Sequence, residues 1–294
     1  MVRDITLGSR IADKVIITIL IMSAFICILP IWYTLCVSLS EKSAVAAGMV
    51  KLWPVGFNFN SYHQIIGEKK FFNSFWISIK RVVLAGGLNF IIVVLMAYPL
   101  SKEKKEFPLR NIFMWILVFS MLFNGGLIPW YITVKNYKLI NTIWALVLAG
   151  GLPIFNVILV INYFRNLPKE LEEAALIDGA GPWYMLFKIF IPLAIPVLAT
   201  ITLFSIVHHW NEFFHGLVLM SKEDKYPLQT YIQQLVVIID TTNMTEDQYK
   251  RLNELSNQTL NAAKIFVAMI PILAIYPFLQ RYFIHGITLG SVKE

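Results

Sequence analysis

The sequence predicts an all-α integral membrane protein with about six transmembrane helices. Three observations carry this. The chain has 294 residues, 57% apolar and 15% charged, against about 45–50% and about 25% in a soluble domain. A soluble core of this composition would leave a large apolar surface in water, and disordered chains are poor in apolar residues. The apolar residues gather into six runs, each close to or beyond the roughly 20 residues that a helical span requires. Six such spans use about 120 residues, which leaves loops but no large soluble domain. One transmembrane domain over 1–294 is expected.

The first run, 15–39, follows a basic lead with Arg3, Arg10 and Lys14. It is longer than the roughly 7–15-residue apolar core of a signal peptide, and no small-residue cleavage pattern follows. It reads as a retained span. The second run, 82–100, ends at Lys102-Glu103-Lys104-Lys105-Glu106. The third is 112–134. The fourth, 143–164, holds Gly150-Gly151 and Pro153. The fifth, 186–220, is interrupted by Pro192 and Pro196. The sixth, 265–283, contains Pro271 and Pro277. Prolines inside spans remove backbone donors, so neighbouring helices must satisfy the freed carbonyls. Kinked, packed helices are expected rather than simple anchors. Three connections are long: 41–76, 165–185 and 221–262. The last is charged, and an amphipathic helix near 245–260 is expected there.

The net charge is +7. The basic residues lie between apolar runs, where they flank spans beside anionic headgroups; a nucleic-acid partner is not indicated. Both cysteines, Cys27 and Cys36, sit in the first run as apolar thiols with no metal or disulfide spacing. The lead, the 101–110 loop, 165–188 and the tail from Arg281 hold 12 Lys/Arg in about 62 residues; the opposite segments hold 13 in about 96. That density modestly favours both termini inside, although Lys80 and Arg81 pull the other way.

The segment between the fourth and fifth runs is the most informative. Pro168 suits a first helical position, where its missing donor is an orphan in any case. Glu170, Glu172 and Glu173 follow, favoured at the positive end of a helix. Gly179 is placed to end that helix in a left-handed conformation, and Pro182 can start a second helix into the membrane. Ala174 and Ala175 leave a face that another surface can approach closely, with Leu171, Leu176 and Ile177 as flanking anchors. On physics alone, this surface helix packs either on a partner or on the chain's own loops.

The spacing Glu173-Ala174-Ala175, three residues, Gly179, nine residues, Ile189, one residue, Ile191-Pro192 resembles the EAA loop. That loop marks the membrane subunits of ATP-binding-cassette (ABC) importers, and Asp178-Gly179-Ala180 is common in their sugar-importing branch. Asn141-Thr142 with Trp144-Ala145-Leu146, and the tail 276–283, are similar to the maltose-permease-like branch. Leu127-Ile128-Pro129, Tyr98-Pro99-Leu100-Ser101 and His209-Trp210-Asn211-Glu212-Phe213-Phe214 resemble a Gram-positive subgroup for complex oligosaccharides of the polygalacturonan type. The resemblance spans nearly the whole chain. It implies a MetI-like type I importer permease fold, a multi-pass protein of the bacterial cell membrane with both termini cytoplasmic, and a coupling loop over 165–185. It implies that Glu173, Ala174, Ala175, Asp178, Gly179 and Pro192 form the ATPase-coupling element. It implies three partners besides membrane lipid: a second, different permease, a dimer of cytoplasmic ABC ATPases, and an extracellular sugar-binding protein. The tail 290–294 would reach between the ATPases. ATP and Mg would be bound by the ATPases, with no cofactor on this chain. Consistent with that division of labour, the sequence has no phosphate-cradling Gly-Lys-Ser/Thr loop, and no metalloprotease or serine-hydrolase motif.

For a sugar pathway, aromatic faces and amide or charged groups are the required chemistry. Trp210, Asn211 and Glu212 supply that mix, and an ionisable residue at membrane depth is a functional candidate by default. His209, Asn89, Asn124 and Tyr131 join them. Helix–helix packing, interfacial aromatic belts and interhelical hydrogen bonds explain the same residues equally well. Adjacent His208 and His209 point to different helix faces, so no zinc pair is expected. For an anionic uronate solute, His208, His209, Lys80 or Arg81 would offset the charge. The rival classes are a permease for a non-sugar solute, an ion-coupled secondary transporter, which would show inverted repeats, and a membrane enzyme, which would need a convergent polar cluster.

Overall fold

Long apolar runs with internal prolines can cross a membrane only as helices, because every backbone donor must be satisfied within the chain. The computed structural model follows this rule. It describes residues 7–236 and 257–291, and among them it has helices and no strand. In chain order these are α1 Leu7–Ser38, α2 Lys42–Ala46, α3 Asn60–Gly67, α4 Lys69–Ser101, α5 Arg110–Leu122, α6 Leu127–Asn136, α7 Ile143–Leu148, α8 Ile154–Arg165, α9 Lys169–Ile177, α10 Pro182–Tyr184, α11 Ile191–Leu193, α12 Ile195–Asn211, α13 Phe214–Leu219, α14 Leu228–Val236 and α15 Gln258–Ser291. Most of the expected 245–260 helix, and the tip of the tail at 292–294, lie outside the described residues.

Three helical stretches are long and apolar enough to cross a membrane: Ile11–Ser38, Lys69–Ser101 and Gln258–Phe278. Two more candidates are bent pairs. The third apolar run divides into α5 and α6, at 114° to each other. The cause is local: Gly126 takes φ 87°, and its N–H donates to Asn124 Oδ1 at 2.9 Å, an Asx-type turn. The fifth run divides at Ala194, where Pro182–Leu193 meets α12 at 80°. Pro192 and Pro196 each fall in the first two positions of a helix, where a missing donor is harmless. Ahead of Pro192 the chain widens into a π-helical turn over Met185–Phe190. Such a turn absorbs the clash a proline makes with the carbonyl four residues earlier. The fourth run divides into α7 and the 12-residue α8, with Gly151 at φ 66° between them.

The chain separates into two compact units. One comprises residues 1–69 and 234–270. Its small core gathers Cys36, Val37, Ala44, Val45, Val50 and Ala262. The segment after α2 folds back along α1, with Trp32 Nε1 donating to the Leu52 carbonyl at 2.7 Å. Lys264 pairs with Glu68 at 2.7 Å. The other unit comprises 70–233 and 271–294. Its main core runs through Val93, Val94, Ala97, Val157, Val160, Ile161, Phe164, Leu186, Phe190 and Leu198, so α4, α8, the π turn and α12 pack together. Both candidate sites lie in this second unit.

Candidate functional site

The surface segment builds from its caps. Helix α9 begins at Lys169, one residue later than the sequence suggests. Pro168 is its N-cap, with φ −58° and an extended ψ of 128°. That ψ is the usual N-cap conformation. Glu170 and Glu172 lie in the first turn. At the other end, Ala180 N–H donates to the Ala175 carbonyl at 2.9 Å and Gly179 N–H to the Leu176 carbonyl at 3.0 Å. With Gly179 at φ 77°, this is a Schellman closure. Pro182 then opens the next helix with Gly181 as its N-cap. Ala175 is buried in the main core, so one face of α9 is anchored. The other face is open: Glu173, Ala174 and Asp178 are exposed, and so are Leu171, Leu176 and Ile177, the last at 87%. Pro192 is also exposed.

Behind α9 lies a charged clamp. Lys102 pairs with Glu172, and its ammonium sits 4.8 Å from the Tyr98 ring centre and 4.6 Å from that of Phe190. Lys169 pairs with Glu103 at 2.5 Å. That contact holds the Glu103 carboxyl below its ordinary range and the Lys169 ammonium above its own. Arg165 Nη2 and Arg110 Nε both donate to the Leu100 carbonyl, at 3.0 and 3.2 Å. A carbonyl at a helix C-terminus has no partner within the helix, and two guanidinium groups satisfy this one.

A second cluster lies where α4 meets the end of α12 and the start of α13. Arg81 on α4 is fully buried and pairs with Glu212 at 2.5 Å. Its Nη1 also donates to the Glu212 backbone carbonyl at 2.9 Å. Glu212 Oε1 accepts the His215 N–H at 2.8 Å, so one residue answers Arg81 and caps α13. Arg81 Nη2 lies 3.1 Å from His215 Nδ1. A guanidinium cannot accept, so Nδ1 accepts from it. The His215 ring lies 5.2 Å from that of Trp130. Nearby, Asn89 Nδ2 donates to His209 Nε2 at 2.9 Å, both side chains being buried. The α7–α8 break passes close by: a Cβ on Gly150 would stand 3.6 Å from His215 and 4.0 Å from His209, ordinary contact distances. A small cavity lined by Asn89, Asn156, Thr202 and Ser205 adjoins Asn89.

The structure thus gives three of the sequence-derived pathway residues, Glu212, His209 and Asn89, polar partners inside the fold. Trp210 is buried edge-on to Phe75 at 5.6 Å. Tyr131 packs beside the cluster of Val134, Ala145 and Leu219. Asn211 and Asn124 are exposed, and Asn124 is engaged in its own turn. Arg81 is fully enclosed, so it is not open to a solute carboxylate. Lys80 and His208 are exposed. His215 is the member that sequence reasoning missed. Its signal was its place three residues beyond Glu212.

Residues 80–289 match the family described as the inner membrane component of binding-protein-dependent transport systems. The chain belongs to that family. The matched region contains α9, the clamp and the buried Arg81 cluster. Protein LplC of Bacillus subtilis (strain 168) is 37% identical over 91% of this chain and 90% of its own length. The polygalacturonan/rhamnogalacturonan transport system permease protein YtcP of the same organism is 34% identical over 97% of this chain and 99% of its own. A chain in the crystal structure of a bacterial ABC transporter involved in the import of the acidic polysaccharide alginate superposes with a TM-score of 0.83. It is 34% identical, covering 95% of this chain and 98% of that one. As a family member, this chain is a multi-pass membrane permease subunit of an ABC importer, and a transport subunit rather than an enzyme.

Proposed function

We propose that this chain forms half of the translocation pathway of an ATP-driven importer for sugars, oligosaccharides in particular. In this reading the coupling element is Glu173, Ala174, Ala175, Asp178, Gly179 and Pro192. The observation that carries it is the two-faced α9: Ala175 is anchored in the core, while Leu176 and Ile177 stand exposed beside a side-chain-poor Ala174. Such a face suits docking in a groove. Glu173 supplies the polar contact to a cytoplasmic ATPase, and the Gly179 turn keeps α9 at a fixed angle to the helix that starts at Pro182. ATP and Mg belong to a pair of such ATPases.

The other half of the pathway comes from a second, different permease, and an extracellular binding protein delivers the sugar. Both termini are cytoplasmic in a bacterial cell membrane. The pathway is assigned to the end of α12 and the α5–α6 bend. Asn211, Asn124 and Tyr131 offer groups to the solute. Trp210, Glu212, His209 and Asn89 shape the wall behind them. Two of the similar proteins are named for polysaccharides, polygalacturonan/rhamnogalacturonan and alginate, which supports an oligosaccharide.

The test is to purify the tagged protein from its native membrane in mild detergent and identify its companions by mass spectrometry. A second permease and an ABC ATPase are expected, with the ATPase lost from Glu173→Ala and Gly179→Asp variants. A chain that emerges alone in several detergents, with uptake driven by an ion gradient, would instead make it a secondary transporter.

A further inference from the structure

The α9 helix is joined by chain only to α8 and to the helix starting at Pro182. A pull on it would, by connectivity, act on those two. The side chains say otherwise. Lys102 stands just beyond the end of α4, and its side chain is only 11% exposed. It touches three elements at once: Glu172 on α9, Tyr98 on the last turn of α4, and Phe190 in the π turn. Tyr98 and Phe190 are themselves edge-on at 5.1 Å, and Phe190 is edge-on to Phe164 of α8 at 5.2 Å. Arg165 and Arg110 tie the ends of α8 and α5 to the same last turn of α4 through the Leu100 carbonyl. Lys169 and Glu103 add a second link between α9 and the 101–106 loop, at the surface.

We infer that Lys102 is a positioning residue that makes α9 and the end of α4 one rigid lever, so that displacement of α9 by an ATPase moves α4 with it. This rests on the ATPase-docking role proposed above for α9. The exposed Lys169–Glu103 pair is screened by salt and holds weakly. The Lys102–Glu172 pair is screened less, and its ammonium also lies over two aromatic rings, where a cation is attracted to the π face. An element with buried, directional contacts to both partners transmits a displacement rather than absorbing it.

The experiment uses the complete complex purified from membranes, in a chain with Cys27→Ala and Cys36→Ala. Spin labels are placed at Ile91→Cys on α4 and Glu170→Cys on α9, both exposed positions. Their separation is measured by pulsed electron resonance without nucleotide and after trapping with ATP and vanadate. The separation is expected to stay fixed on trapping in the parent. It is expected to shift by several ångströms on trapping in Lys102→Met, which keeps an apolar stem but loses the charge. Lys102→Arg is expected to behave as the parent. Lys102→Glu is expected to shift, and Lys102→Glu with Glu172→Lys to return toward the parent.

A merely structural role would loosen the separation before trapping, or expel the ATPase from the Lys102→Met complex; either result overturns the inference. So does a separation that changes equally in parent and Lys102→Met, or in neither. The docking reading fails separately. In that case the parent complex holds no ATPase at all, which removes the lever together with its cause.

Discussion

Arg81 and Glu212 show what a single pair of residues settles. A guanidinium and a carboxylate taken out of water each carry a large desolvation penalty, and the geometry must repay it. Here the side-chain pair, the Glu212 carbonyl and the His215 amide offset part of it, while Arg81 Nε is buried without a hydrogen-bond partner. Removing one partner strands the other. Glu212→Ala is therefore expected to lower stability by about 3–5 kcal/mol, while Arg81→Met with Glu212→Leu loses far less. Thermal unfolding in detergent checks this, and a double variant no more stable than Glu212→Ala would count against a buried charge as the cause. At the surface, the Glu103–Lys169 pair behaves differently. Glu103 titrates below its ordinary value of 4.5 and Lys169 above its ordinary 10.5. The Glu103 contribution is full above 4.5 and lost as pH falls through its lowered pKa. That of Lys169 is full below 10.5 and lost as pH rises through its raised pKa. Glu103→Gln is thus expected to flatten both limbs of a stability–pH curve, because the raised pKa of Lys169 comes chiefly from Glu103, and added salt to shrink the difference. In the sequence, Glu212 stood out as an ionisable residue at depth. Arg81 was noticed only as a free charge; its pairing with Glu212 was not legible, because 131 residues separate the two and no local periodicity links different spans.

Helix starts and stops were the more legible features. Gly179, Pro182, Pro192 and Pro196 mark ends and beginnings in both sequence and structure, because proline and glycine act on the backbone they occupy. Pro168 falls one position earlier than expected, as the N-cap, where its φ of −58° combines with an extended ψ of 128°. The π turn before Pro192 had no sequence signal of its own; it depends on how the preceding carbonyls are accommodated in the packed helix. The α5–α6 bend was signalled only by Gly125-Gly126, inside a run that otherwise reads as one span. Gly179 separates conformation from packing well. A Cβ there would meet nothing within 4 Å, so Gly179→Ala is expected to cost only the left-handed penalty, about 1–2 kcal/mol. Asn, which tolerates that region better, should recover part of it. Helicity of α9 followed by hydrogen exchange would report this, and equal protection in the glycine and alanine forms would remove the Schellman closure as its determinant. Gly216 is the converse case. A Cβ there would overlap Thr230 Oγ1 and come within 2.8 Å of Pro227, so Gly216→Ala should destabilise by about 1–3 kcal/mol through overpacking.

Sidedness is where charge counting was weakest and cross-links between loops are most useful. Within the 70–233 unit, one set of contacts joins the end of α4 to the region around α9: Lys102 to Glu172, Lys169 to Glu103, and Arg165 to the Leu100 carbonyl. A second set joins the start of α4 to the segments after α6 and α13. Lys70 pairs with Glu223 at 2.8 Å, Asn73 donates to the Asp224 carbonyl, and Lys225 Nζ donates to the Asn141 carbonyl at 2.7 Å. Each of the four apolar runs in this unit therefore leads from one set to the other: α4, the α5–α6 pair, α7 with α8, and Pro182 to α13. The chain returns to the α9 end after α5–α6 and α7–α8 because two crossings restore the starting side. Arg81 then ceases to contradict the charge bias, since it is neutralised within the fold rather than placed at a headgroup surface; the exposed Lys80 still pulls against it. It follows that Asp178→Cys and Glu223→Cys, both outside the buried core, should react with a membrane-impermeant maleimide from opposite sides. Asp178→Cys is expected to label only in inside-out vesicles and Glu223→Cys only in intact cells or right-side-out vesicles. Labelling of both from one side would break the parity of the four runs and, with it, the placement of α9 where an ATPase can reach it.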